Sequence, residues 1–166
     1  MNIIKNGGFE SGSLAPGWRQ TPGSAQFDGG VVAGQGYGGN YSLVMRGMDF
    51  VEQVLPFARA DGDLMFYAKS ESEIYAGPFY VRVVYLDGSE TLEFISLSQN
   101  WKHYKVPVSK SKLISKIQFG TGETGAVYID IVTLAGRRPD MSRYYIRKRY
   151  LKKFYGLPPY KIPKSL

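Results

Sequence analysis

Between Tyr41 and Leu134 the chain is a succession of short runs rich in β-branched and aromatic residues, each closed by turn residues. No helical period of any length is found before residue 139. The runs are Tyr41–Arg46, Phe50–Leu55, Asp63–Ala68, Phe79–Leu86, Glu90–Leu97, Trp101–Val108, Lys116–Gly120 and Ala126–Leu134. Apolar side chains recur at every second position, as in Phe79, Val81, Val83 and Tyr85, which puts them on one face of an extended strand. Asp87-Gly88-Ser89 between two such runs is a hairpin signal. About eight strands at this spacing predict an all-β sandwich or jelly roll.

Ahead of these runs the chain is rich in glycine, at Gly23, Gly29-Gly30, Gly34, Gly36 and Gly38-Gly39, and reads as looped chain with tight turns. Its first residues are MNIIKNGGFESGSLAPGW. In extended chain Phe9 and Glu10 point to opposite sides. Phe9 is expected in a core, and Glu10 then faces a loop, solvent or an ion.

Charge divides the chain. Residues 1–135 carry 11 Lys+Arg and 13 Asp+Glu, whereas residues 136–166 carry 10 Lys+Arg and only Asp140. The expected organisation is a near-neutral β-sandwich over 1–135 and a cationic tail over 136–166. Pro139-Asp140 could begin a helix in the tail and Gly156 could end it. At helical spacing Met141, Tyr144, Leu151 and Tyr155 form one stripe, and Ile146, Tyr150 and Phe154 another. Basic residues such as Arg147 and Lys152 lie around both stripes. LPPYKIPKSL then reads as extended, polyproline-like chain.

Several chemistries have little to build on. With no cysteine there is no disulfide, thiolate nucleophile or zinc-thiolate site. His103 is the single histidine, so a His-rich metal site is excluded, and no GxSxG turn accompanies it. GGVVAGQGYGGN (29–40) lacks the Lys-Ser/Thr and the following helix of a phosphate loop. None of the 13 body carboxylates is paired by its context for glycoside hydrolysis. The expectation is a protein that is not an enzyme. No run approaches the roughly 18 apolar residues of a membrane span. Met1–Phe9 has one Lys and no apolar run, so no signal peptide is expected and synthesis is expected to be cytoplasmic.

Four segments, NGGFESGSLAPGW (6–18), GNYSLVMRG (39–47), FVEQVLPFARADGDLMFYAKS (50–70) and AVYIDIVTL (126–134), occur in an order that resembles carbohydrate-binding modules of the galactose-binding-like β-sandwich type, near families 4, 9 and 22. NWKHYKVPV (100–108) supports the likeness. The chain is also similar to the N-terminal domain of collagen-like surface proteins of spore-forming bacteria. The resemblance covers 1–135 and not the tail. It implies a structural calcium held by Glu10 and Asp130, with oxygens near Gly8, Asn40 and Ser42. Calcium takes six to eight oxygens and accepts carbonyls beside carboxylates. Ile131 stands where such modules often have a second Asp. The alternative is that Glu10 and Asp130 accept loop amides with no ion. The resemblance also places Trp18 and Trp101 in the framework, as core residues. That leaves Tyr37, Tyr67, Tyr75, Phe79, Tyr80 and Tyr85 as aromatic candidates for stacking on sugar, with Tyr80 and Arg82 the more polar pair and Tyr75 a further candidate.

Three functions follow as expectations. The first is a structural or decorating subunit of a large assembly, on a virion or a spore or cell surface. There the tail residues Tyr144, Ile146, Arg147, Tyr150, Leu151, Lys152, Phe154 and Tyr155 would dock on other subunits of the particle or surface layer. The second is a glycan-binding adhesion module with polysaccharide as partner. The third is nucleic-acid or polyanion binding by the tail, where Tyr is interleaved with Lys and Arg. No membrane partner is expected.

Overall fold

A computed structural model describes residues 1–23, 27–72, 78–122 and 125–138. The tail residues from 139 onward, and Tyr75, lie outside the described residues. Nine strands form: β1 (Trp18–Gln20), β2 (Gly30–Ala33), β3 (Tyr41–Arg46), β4 (Phe50–Ser70), β5 (Phe79–Tyr85), β6 (Glu90–Ile95), β7 (Lys102–Val106), β8 (Leu113–Thr121) and β9 (Ala126–Arg137). All pairings between them are antiparallel. The all-β sandwich expected from the sequence is the fold observed.

Two features depart from the strand-by-strand expectation. Phe50–Leu55 and Asp63–Ala68, expected as separate strands, are the two halves of one long strand, β4. Two short strands, β1 and β2, lie in chain that was expected to be loop. Each is short enough that its few residues carry no alternation to reveal it, and each is held by its partner, β4 or β3.

β4 joins two layers. Its first half pairs with β1 and β8, and β8 continues to β5 and β6. Its second half pairs with β7 and β9, and β9 continues to β3 and β2. The register shifts between Val54 and Ala58, where Phe57 has φ 61, and again between Ala60 and Leu64. Such irregularities let one strand turn a corner from one sheet into the next.

The core lies between the layers. From the β5–β8 side come Phe79, Val81, Val83, Ile117 and Phe119, and from the β9–β4 side Leu43, Met45, Leu64, Phe66, Val127 and Ile129, all buried. Phe66 crosses the gap, edge-on to Phe119 at 5.3 Å and to Phe79 at 6.2 Å. Phe9 is fully buried and packs on Trp18, which stacks on Phe119. Gln53 also points inward, and its amide is satisfied by the backbone of Lys5, which it meets as both donor and acceptor.

Candidate functional site

With the apolar positions of β5 and β8 turned inward, the alternate positions form the outer face of the first layer. Pairing register arranges them in rows across the strands. One row is Phe94, Tyr80, Gly120 and Phe50. The rings are neighbours, Phe50 to Tyr80 at 5.9 Å and Tyr80 to Phe94 at 6.1 Å. The absence of a side chain at Gly120 is what lets the Tyr80 ring lie across β8, since a Cβ there would collide with that ring. Burial against the sheet pushes the Tyr80 hydroxyl above its usual range, with Arg82 opposing the shift. Phe94, on the edge strand β6, is 67% exposed.

The next row is Leu92, Arg82, Gln118, Glu52 and Arg19. Lys116 sits one row further, beside Val84 and Val54. Glu52 is the centre of this polar group. Arg19 donates to Glu52 Oε1 from Nε at 3.0 Å and from Nη2 at 2.7 Å, and Lys116 Nζ donates to Oε2 at 2.8 Å. Burial alone would raise the Glu52 carboxyl, but the hydrogen bonds and charges of Lys116 and Arg19 outweigh it and hold it below the usual range. Gln118 donates to Thr21 Oγ1 at 2.9 Å, and Arg82 is ion-paired with Glu90 at 2.5 Å.

The outer face of the second layer is organised differently. The loop that follows β2 is drawn down over it by carboxylates. Asp130 Oδ2 accepts from the amides of Tyr37 (2.8 Å) and Gly38 (3.2 Å), and its Oδ1 from that of Ile131 (2.7 Å). Glu10 accepts from Asn40 at 3.2 Å and Tyr41 at 3.1 Å. Tyr37 then stacks on Tyr67 at 3.9 Å and meets Trp101 at 5.8 Å. Lys69 lies over the rings of Trp101 and Tyr128. Trp101 is therefore only half-buried and outside the core, unlike Trp18. His103 shares this outer face, tilted against Tyr67 at 5.1 Å.

Of the residues nominated for calcium, Glu10 and Asp130 both lie beside Gly8. A Cβ on Gly8 would lie 3.7 Å from Glu10 Cγ and 3.9 Å from Asp130 Oδ1, and the Glu10 carboxylate is bonded to the amides of Asn40 and Tyr41. Both carboxylates take loop amides, as in the alternative weighed from the sequence. Each also has lone pairs remaining. The buried Ser42 Oγ has no hydrogen-bond partner among the described residues. Carboxylate and hydroxyl oxygens are the donor types an oxygen-seeking cation takes. No group of three or more His, Cys, Asp or Glu is assembled for a metal among the described residues, so carbonyls would supply most of the ligands.

Of the residues nominated for sugar, Tyr80 and Arg82 share the first outer face. Phe79 and Tyr85 point into the core, and Tyr37 and Tyr67 lie on the opposite side of the sandwich. Phe50, Phe94, Gly120, Arg19, Glu52 and Lys116 were not nominated. Their alternation along each strand was visible, but their convergence depends on cross-strand register, which no single strand encodes.

No family model and no curated protein matches the sequence. Solved structures do. A family 61 carbohydrate-binding module in complex with β-1,4-galactotriose is 19% identical, the match covering 82% of this chain and 99% of that one, with a TM-score of 0.56. The CBM22-1 xylan-binding domain of Paenibacillus barcinonensis Xyn10C is 16% identical over 75% of this chain and 88% of that one, TM-score 0.53. The enzymatically active domain of tailspike protein 4 of bacteriophage CBA120 is 14% identical, with TM-score 0.60. That match covers 82% of this chain and 21% of the tailspike chain. The chain thus has the galactose-binding-like β-sandwich fold of carbohydrate-binding modules.

Proposed function

We propose that the sandwich binds polysaccharide, without cleaving it, on the outer face of the first layer. The observation that carries this is the row Phe50–Tyr80–Phe94, lying over Gly120 beside the polar row of Arg82, Gln118, Glu52 and Arg19. Aromatic faces stack on the apolar face of a pyranose, and flanking polar groups bond its hydroxyls. The likeness to modules solved with galactotriose or described as xylan-binding supports the same reading. At the loop end of the other layer, Glu10 and Asp130, with oxygens near Gly8, Asn40 and Ser42, would hold a calcium ion. Bound there, calcium would supply charge neutralisation and added rigidity.

The test is retention on a panel of immobilised polysaccharides. Tyr80→Ala and Phe94→Ala should each lower retention several-fold, whereas Tyr37→Ala, on the opposite face, should not. Equal losses from all three, or retention on nothing in the panel, would remove the proposal.

A second reading keeps the protein as a subunit of a particle or surface layer, anchored by its tail. It is supported by the fold likeness to a phage tailspike domain and by ten basic residues against one acid in 136–166. Deletion from residue 139 onward should then abolish incorporation into the particle while leaving polysaccharide retention intact. Normal incorporation of the shortened chain would refute it.

A further inference from the structure

The proposed sugar-binding face has an unbalanced set of polar groups. Neutral sugars present hydroxyls, which both donate and accept, and a site for them benefits from both kinds of partner. Here the central acceptor is already committed. The Glu52 side chain is 2% exposed and takes three donated bonds from two cations. Glu90 gives one carboxylate oxygen, Oε2, to Arg82 at the edge of the face. The Gln118 residue is buried, which keeps its amide largely from solvent. What reaches solvent is mostly donors. The side chain of Arg19 is 56% exposed, that of Arg82 41% and that of Lys116 30%. Arginine and lysine have no acceptor at all. Three cations against the two carboxylates leave the face with one net positive charge.

The cations are also held in position. Arg19 uses Nε and Nη2 on Glu52, which leaves Nη1 and the outward N–H bonds of the guanidinium. Lys116 uses one of its three donors on the other Glu52 oxygen. A side chain already fixed by a buried carboxylate loses less freedom on meeting a ligand than one that sways in solvent. Glu52 is thus a positioning residue, setting two cationic heads beside the aromatic row.

We infer that the ligand is an acidic polysaccharide, whose uronate carboxylates are taken by Arg19, Lys116 and Arg82 while its rings stack on Tyr80 and its neighbours. This rests on the polysaccharide-binding reading above and narrows it to a substrate class. Arginine suits the role, because its planar fork matches a carboxylate with two parallel hydrogen bonds.

The experiment compares trigalacturonic acid, its methyl ester and neutral β-1,4-galactotriose as ligands of the full chain by titration calorimetry. The acid should bind about tenfold tighter than the ester, the worth of one charge-assisted hydrogen bond. Arg82→Gln should reduce that ratio. Arg19→Gln combined with Glu52→Gln should reduce it further, and this pairing leaves no buried carboxylate without its partner. Equal affinity for acid and ester would overturn the acidic-ligand inference and leave polysaccharide binding standing. A preference for the acid that survives both variants and Tyr80→Ala would overturn it too, by assigning the carboxylate to the cationic tail. Absence of binding to all three sugars would overturn it together with the reading on which it rests.

Discussion

Removing the two cations around Glu52 should destabilise the protein more than removing Glu52 itself, and acid should reverse the damage. In the native protein Glu52 has 2% of its side chain exposed, whereas Arg19 and Lys116 are 56% and 30% exposed. In Arg19→Ala/Lys116→Ala the carboxylate is left buried with no counter-charge, a change that costs about 3–5 kcal/mol. In Glu52→Gln the shape is kept and the two cations, already partly in water, turn outward. Their charged hydrogen bonds are discounted by solvent screening, so the loss is about 1–2 kcal/mol. For a domain of this size each kcal/mol is worth roughly 2–4 °C in Tm, so the double variant should melt about 6–20 °C below the parent. The pH dependence should change sign. In the parent the folded Glu52 carboxyl is lowered, so its contribution is present above the unfolded value of about 4.3 and is lost as pH falls through the folded value. In the double variant burial acts alone and raises the carboxyl. That variant should regain stability as pH is lowered from 7 toward about 4.3. Urea unfolding at a series of pH values measures this, with the triple variant carrying Glu52→Gln as the control. The reasoning is refuted if Glu52→Gln costs as much as the double variant, or if adding Glu52→Gln to the double variant restores nothing.

Two further outcomes follow from the same geometry. Gly120→Val should displace the Tyr80 ring and lower polysaccharide retention at least as far as Tyr80→Ala does, with overpacking costing about 1–3 kcal/mol in a urea melt. Asp130→Ala should strip the Tyr37, Gly38 and Ile131 amides of their acceptor and cost about 1–3 kcal/mol, read as a lower Tm. If calcium is held beside it, a free-ion level 100 times the Kd stabilises the parent by about 2.7 kcal/mol, and a chelator should lower the parent Tm but not that of the variant.

Much of the architecture was legible locally. The alternation Phe79, Val81, Val83, Tyr85 against Tyr80, Arg82, Val84 assigned the inner and outer faces of β5, because side-chain direction in a strand has a period of two and needs no partner. Phe9 is in the core as expected, but not by strand alternation: it lies in a turn, with φ 55, rather than in extended chain. The closeness of Glu10 and Asp130 came from resemblance, since no local rule links residues so far apart in sequence. Trp101 illustrates the limit. The resemblance put it in the core, yet it lies outside, under Tyr37 and Lys69, because two distant carboxylates draw the glycine-rich loop over the second layer. The strand break expected between Leu55 and Asp63 was a corner, which only the pairing of β4 with two different sets of neighbours reveals.

By itself, the sequence determined that the chain forms strands, which side chains each long strand turns inward, and where charge accumulates, because these depend on neighbours along the chain. Tertiary structure alone decided that Phe50, Tyr80, Gly120 and Phe94 make one row, and that Arg19, Glu52 and Lys116 make one ionic group. Those groupings depend on register between strands, where a slip of a single residue would send every side chain to the other face.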